Sequence, residues 1–573
     1  MDTFIIISSD KLVSKSKKIW GDGSWIPPEE REALDWFMLA RIMGWRAKII
    51  SNEETYADIS NSDVIKWIVV ACDPDELSRQ TQDWLRQIIS LEAILIIVRC
   101  GSYKAEWLER LGITFLDDLV VGKRIKRIQF NEGNCINDLE TDLQSRSLGI
   151  TGDIEPLLNL NGHVVVGKSI FKESRIISFG FHPGVAMDNN PEMTLVIKAL
   201  LTNHTPSTIA WLDWKDTMVL RMDDPGSSEL VHHDIYSDCK KLNTKDWIDL
   251  GGELKKHKAK LSIGYVNGWV DDGDESRGQL KINGQLIHRQ AGAVYPSPEV
   301  IYESKVNGLC DYQAEYDAIK KLKYKNLVQV EAHGYTHISP NLNEWLSAST
   351  KHNEKKWFRE FGSSASKYIA SNPLHEHPLA KSKQALSKYW DDEPMVLIYP
   401  GEEYTLSAQK DALNFGWTMI SSYYQAFKID QRLCWTQHIC SPYINSYSSK
   451  WIKSELPFVG YFHDFDIARN DPGWFSDCIE NWKKIGIKNF IDLRTLSVGL
   501  NYNLSIKIEN GRMLLQLNNE LISMSEYRYR IKVKSVGVSL PEELLVHQED
   551  IVKTANISNV INNIGEFELP NTF

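Results

Sequence analysis

Three short stretches hold residues whose types and spacing could do chemistry. An apolar run, Met218–Met222, leads into Asp223-Asp224. A second, Leu327–Ala332, leads into His333-Gly-Tyr-Thr-His337. A third, Phe458–Phe462, leads into His463-Asp464. Two histidines four residues apart lie on one side of a helical turn and can share a metal. A carboxylate completes a His-His-Asp set that leaves positions open for water and substrate. His-x-x-x-His alone is weak, because surface helices produce it by chance. An Asp-Asp pair at a strand end is as often an exposed loop or a helix N-cap. The conjunction of all three, each at a strand end and in this order, is the stronger signal.

Such residues must be positioned by a common frame. Apolar runs at Met218–Met222, Leu261–Val266, Leu327–Ala332, Met395–Tyr399, Trp417–Ser421, Phe458–Phe462 and Phe490–Leu493 predict strands. Helical periodicity lies between them, as in Tyr312–Leu322 and Ala408–Phe415. This alternation predicts a distorted (β/α) barrel, whose chemistry sits at the carboxyl ends of the strands. Asn283-Gly284, within Gln279–Arg289, predicts a hairpin inserted over one end.

With these residues in view, the chain resembles the polysaccharide deacetylase (NodB-homology) family, also called carbohydrate esterase family four. The likeness covers roughly residues 215–500 and rests on motifs and their order: LRMDDPG, HGYTH, LIYPGEEY and VGYFHD. The resemblance implies that Asp224, His333 and His337 hold a divalent metal, most simply zinc. It implies that Asp223 takes a proton from the attacking water and that His463 gives one to the leaving sugar amine. Pro400-Gly401 would bring a backbone N–H to the oxyanion. Arg221, Tyr399, Pro400 and Gly401 are the expected substrate-binding residues. The chain departs from the family in two places. Pro225-Gly226 replaces the Asp-Gly that usually follows the acid pair. Leu397, Ile398 and Tyr399 precede Pro400 where an arginine is usual, so Asp223 must be oriented otherwise, with Arg221 as the substitute. Asp464 receives no role.

Residues 1–205 read as a separate α/β domain. Strands are expected at Phe4–Ile7, Ala47–Ile50, Trp67–Ala71, Ala93–Val98, Val164–Val166 and Ile176–Phe181. Helices are expected at Pro27–Met43, Glu76–Leu91 and Glu192–Leu201, which together predict a flavodoxin-like parallel sheet. FGFHPG, with His182, resembles the His-Pro segment of class I glutamine amidotransferase-like domains. Cys100-Gly101 follows a strand, as a nucleophile would. Val98 and Arg99 crowd that elbow, and Gly184 stands where the acidic partner belongs, so the expectation is a non-catalytic domain for packing, oligomerisation or substrate recognition. Residues 206–500 are the barrel. Residues 501–573 alternate around Asn510-Gly511 and predict a small β-sandwich-like domain.

Composition narrows the function classes. The chain has 573 residues and a net charge of −11, from 65 basic and 76 acidic side chains, which argues against non-specific nucleic-acid binding. Eight scattered cysteines with no C-x-x-C predict free thiols in a reducing compartment. No leader-like segment or membrane span is visible, so a cytoplasmic enzyme is the expectation. The 19 tryptophans suit a sugar cleft, lined for example by Trp269, Tyr295, Trp345 and Trp435, or equally a large core. His232-His233 and His375-Glu376-His377 are read as loop residues. The expected function is metal-dependent N-deacetylation of an amino sugar in a glycan or glycolipid intermediate. The alternatives are hydrolysis of another amide or ester by the same chemistry, and a non-catalytic glycan-binding scaffold.

Overall fold

All seven apolar runs expected between Met218 and Leu493 are strands in the computed structural model, and all seven run parallel. The model describes residues 2–8, 28–52, 64–88, 93–98, 113–125, 128–129, 135–136, 139–150, 154–171, 174–232, 236, 239–339, 360–361, 377–402, 404–422, 424–429, 432–470, 473–510, 512–518, 527–548, 551–561 and 563–569. The central sheet runs Phe458–His463, Thr217–Asp223, Leu261–Tyr265, Val328–His333, Val396–Ile398, Met419–Ser421, followed by antiparallel Tyr424–Ile429 and Arg432–Cys440. Asn489–Ile491 lies beside the first residues of Thr217–Asp223. The chain leaving Arg432–Cys440 bridges back to the opposite edge. Tyr443 pairs with Tyr461, and the Ile444 N–H donates to the Tyr461 carbonyl at 2.8 Å. The sheet is therefore curled until its two ends meet. The predicted hairpin at Asn283-Gly284 is present, joining Gly278–Ile282 to Gln285–Ile287 in a small antiparallel sheet.

The strands are buried on both faces, which explains why they read as continuous apolar runs rather than alternating ones. Helices Thr244–His257, Tyr312–Tyr324 and Pro378–Trp390 cover the outside. The first is closed by Asn243, whose side chain accepts from the N–H groups of Lys245 and Asp246.

The first part of the chain forms a second sheet. Five parallel strands run in the order Arg46–Ser51, Asp2–Ser8, Val64–Val70, Ile94–Ile97, Ser174–Phe179, with His163–Phe171 and Glu155–Leu160 added antiparallel. Helix Pro28–Ile42 is close to its expected bounds, while the helix expected at Glu76–Leu91 starts later and is described over Arg79–Ile88. A long hairpin, Ile113–Ile125 with Leu139–Ile150, was not foreseen. Cys100 and Gly101 lie outside the described residues. The last part forms a seven-stranded sheet into which Ile209–Leu212 inserts as an edge strand against Arg530–Lys534.

The tryptophans belong mainly to the core. Trp36, Trp45, Trp67, Trp247, Trp269 and Trp390 are among the largest fully buried side chains. Trp45 stacks on Trp67 with ring centroids 4.0 Å apart and donates to the Ala210 carbonyl. Arg41 donates to the carbonyls of Leu500 and Tyr502. One apolar core thus runs through the first sheet, the outer face of the curled sheet and the last sheet. Among the expected sugar-cleft aromatics, Trp269 is fully buried against Tyr302 and Tyr312, and Tyr295 packs partly buried on the same cluster. Trp345 and the side chain of Trp435 lie outside the description.

His204, at the end of helix Pro191–His204, is buried with Nε2 unpartnered. Burial, reinforced by the Lys168 charge, pushes its pKa down from 6.5 to about 4. A depressed folded value means its stability contribution is present above pH 6.5 and lost as pH falls toward 4. The wild type should therefore lose up to about 3 kcal/mol relative to His204→Asn over that window. Urea midpoints of the two proteins at pH 7 and pH 4.5 check this, and a pH-independent difference would refute it.

Candidate active site

Asp223 closes the strand Thr217–Asp223, and its direct register partner on the neighbouring parallel strand is His463. His333 ends Val328–His333, two strands away on the other side. The three sequence stretches therefore meet at the carboxyl edge of one sheet.

Asp224 turns out of its strand with φ of 81°, a left-handed conformation uncommon for aspartate. Its Oδ1 lies 3.3 Å from His333 Nε2 and 3.4 Å from His337 Nε2. Among the described residues these three form the one group of ligand-type side chains able to hold an ion, with ligand atoms within 4.8 Å of one another. The separations test the fit. With bonds of about 2.0–2.1 Å, the edge of a tetrahedral zinc site is about 3.3–3.4 Å, which matches both Asp–His pairs. His333 Nδ1 lies 3.2 Å from the Ile398 carbonyl, which can only accept. That bond places the proton on Nδ1 and leaves the Nε2 lone pair facing Asp224.

The helical turn expected for HGYTH is absent. His333 belongs to the strand, and Gly334 (φ 60°) and His337 (φ 66°) turn the chain through a bend instead. Glu360 shapes that bend by accepting from the backbone N–H groups of Tyr335, Thr336 and His337. A side chain at Gly334 would strike it, since a Cβ there would lie 2.3 Å from Glu360 Oε2. The two imidazoles thus converge through a loop, with ring centroids 4.8 Å apart.

Asp223 is buried and held from one side. Arg221 Nη2 donates to its Oδ2 at 2.7 Å and also to Glu402 Oε1, while Nη1 donates to Ser421 Oγ at 3.1 Å. Burial opposes the guanidinium charge, but Asp223 and Glu402 outweigh it and keep Arg221 protonated. Asp223 Oδ1 has no hydrogen-bond partner. Gly264 leaves it room, because a Cβ there would stand 3.1 Å from that oxygen. Arg221 thus holds Asp223 directly, where a group that orients it would have to stand. Its side chain is wholly buried and tied to two carboxylates. Tyr399 lies fully buried between Phe361 and Tyr404. Pro400 is buried, and Gly401 is partly exposed with φ of 61°.

His463 is a quarter exposed. Its Nδ1 is 3.3 Å from Asp466 Oδ2, which also accepts from the His463 backbone N–H at 2.7 Å and from Tyr443 Oη. Burial alone would lower its pKa, but the Asp466 bond and the charges of Asp224 and Asp223 raise it to about 9. The ring stacks on Phe465 at 4.6 Å. Asp464 points elsewhere, to Lys241 Nζ at 3.1 Å, and Lys241 also pairs with buried Glu315.

Sequence reasoning missed Glu402, Ser421, Glu360 and Asp466. Of these, only Asp466 had a local signal, since it stands three residues past the histidine. His232 is a structural residue that meets the Val270 carbonyl at 2.7 Å. His377 caps helix Pro378–Trp390 by accepting from Leu379 N–H. His233, His375 and Glu376 lie outside the described residues. In the first sheet, His182 precedes helix Pro183–Asn189, and its Nδ1 is 3.9 Å from the buried Glu32.

No family model matches the chain, and no curated protein matches it. Solved structures give overlaps. One is a CE4 family pseudoenzyme from Bacillus anthracis, 11% identical, covering 49% of this chain and 65% of that one, with a TM-score of 0.26. The chain thus spans just under two thirds of that protein. Another is a peptidoglycan N-acetylglucosamine deacetylase, 12% identical over 49% of this chain and 87% of that one, with a TM-score of 0.24. A third is the mmIFT52 N-terminal domain, 12% identical over 35% of this chain and 97% of that one, with a TM-score of 0.27. No described helix is long and apolar enough to cross a membrane, and Cys72, Cys239, Cys310, Cys440 and Cys478 are free thiols.

Proposed function

We propose that this chain is a metal-dependent carbohydrate N-deacetylase, removing the N-acetyl group from an amino sugar in a glycan or glycolipid intermediate. The observation that carries the reading is the convergence of Asp224, His333 and His337 beside Asp223, which has one oxygen clamped and the other unpartnered. A divalent cation held by the triad, most simply zinc, would supply Lewis acidity toward the amide carbonyl and make water more acidic. Asp223 removes the proton of the attacking water at Oδ1, its orientation fixed through Oδ2. His463, with Nδ1 engaged by Asp466 and its pKa held near 9, is protonated at neutral pH and delivers its Nε2 proton to the departing amine. Pro400-Gly401 is assigned the wall facing the oxyanion. The first domain is assigned a packing role, since its helix Pro28–Ile42 and sheet share the common core. A cytoplasmic setting fits the unbridged thiols.

The test is metal content of the purified chain together with acetate release from N-acetylated oligosaccharides. About one metal per chain, with release abolished by chelation and restored by zinc, is the expected result. Metal without acetate would redirect the chemistry to another amide or ester. No binding of added zinc would overturn the reading in favour of a glycan-binding scaffold.

A further inference from the structure

The two histidines of the triad differ in what stands behind them. His333 Nδ1 faces a backbone carbonyl, that of Ile398. His337 Nδ1 faces a carboxylate, with Glu229 Oε2 at 3.2 Å. Glu229 opens the short helix Glu229–His232 that follows the Asp-Asp-Pro-Gly turn, and its residue surface is only 4% exposed. Its place is set by its surroundings. Ser227 Oγ accepts its backbone N–H at 3.1 Å, and Gly226 N–H is anchored to buried Glu315 at 2.8 Å. Together with Asp224, Ser227, Tyr236 and Asp464, it lines the small cavity beside the triad.

Among the described residues the cationic groups acting on Glu229 are imidazoles, His337 and His463, and Tyr236 Oη donates to its Oε1 at 3.5 Å. A buried carboxylate needs such partners, because burying a charge alone is costly. We infer that Glu229 is a positioning residue for His337. Its Oε2 stands within ion-pair range of Nδ1, which favours a proton there, so that the Nε2 lone pair is aimed at the same point as His333 Nε2 and Asp224 Oδ1. The backbone of His337 makes this support necessary. Its φ of 66° is left-handed, and its chain is a bend held by Glu360 rather than a helix that would set the ring direction. A carboxylate in this place also makes the imidazole a stronger ligand than a carbonyl would, which is the usual work of residues behind a metal-binding histidine. The inference rests on the proposed metal site, and it adds a residue six positions past Asp223 that the motif does not mark.

The test is the zinc dissociation constant of the full chain, read by competition with a chromophoric chelator at pH 7.5 and independent of turnover. Glu229→Ala should weaken zinc binding about 10–100-fold. Glu229→Gln, which keeps an accepting oxygen but not the charge, should fall between that variant and the wild type. The unfolding midpoint of each metal-free variant checks that the chain remains folded. An affinity within twofold of the wild type in a folded Glu229→Ala protein would overturn the assignment while leaving the metal site intact. Absence of zinc binding by the wild type would instead sink the site itself. If Glu229→Ala does not fold, Glu229→Gln carries the test alone, and a wild-type affinity there refutes any contribution from the charge.

Discussion

Asp223→Asn should retain the metal and lose turnover by about 10²–10⁴-fold, the range that a positioned general base contributes. The asymmetry follows from the geometry. The side chains of His333 and His337 converge on Asp224, not on Asp223, whose Oδ2 is committed to Arg221. Asparagine is nearly isosteric, so it can keep the Arg221 contact through its carbonyl oxygen while presenting an NH₂ where Oδ1 stood. His333→Ala should behave in the opposite way and lose the ion as well as activity, because Nε2 is a ligand and no other described nitrogen replaces it. Metal analysis and acetate release on the same two preparations separate the roles. An active Asp223→Asn protein, or one that has lost its metal, would overturn the assignment of Asp223 as base rather than ligand.

What the sequence made legible is what depends on local pattern. The seven parallel strands were readable because burial on both faces demands uninterrupted apolar residues, and the reactive groups directly follow those runs. The trio of Asp224, His333 and His337 was readable because its members lie at a strand end or within four residues of one. The long hairpin Ile113–Ile125 with Leu139–Ile150 was not, since much of its strand pattern lacks strict alternation. Neither was the entry of Ile209–Leu212 into the last sheet, a pairing with a partner more than 300 residues later that no local pattern encodes. The HGYTH bend was misjudged because four-residue spacing suits a helix, whereas the turn is dictated by Glu360, a residue distant in sequence. The tryptophans left two readings open for a related reason. Composition counts large apolar rings but does not say which face a core and which a cleft. Glu402 was unreadable because its purpose is to balance an arginine 181 positions away, and only folding brings them together.

Removing that arginine should be among the most damaging single changes outside the ligands. Arg221 is wholly buried, donates to Asp223, Glu402 and Ser421, and lies 5.0 Å from the Tyr461 ring centroid. Arg221→Met preserves much of the stem volume but leaves buried Asp223 and partly buried Glu402 without their counter-charge. Breaking a buried pair in this way costs about 3–5 kcal/mol, far more than the pair contributes relative to an apolar substitute. The expected result is a large fall in the urea midpoint at pH 7.5. The double variant Arg221→Met with Glu402→Gln should recover part of the loss, because only one uncompensated carboxylate then remains. The recovery distinguishes charge balance from simple packing, since Glu402→Gln restores no volume. A double variant no more stable than Arg221→Met would mean that Glu402 does not share the guanidinium in solution. Wild-type stability in Arg221→Met would remove the basis for treating Arg221 as the group that orients the catalytic carboxylate. If the double variant folds yet stays inactive, orientation of Asp223 and balance of its charge are separable functions of one arginine. The geometry implies this, because Nη2 alone serves both carboxylates while Nη1 fixes the plane of the fork through Ser421.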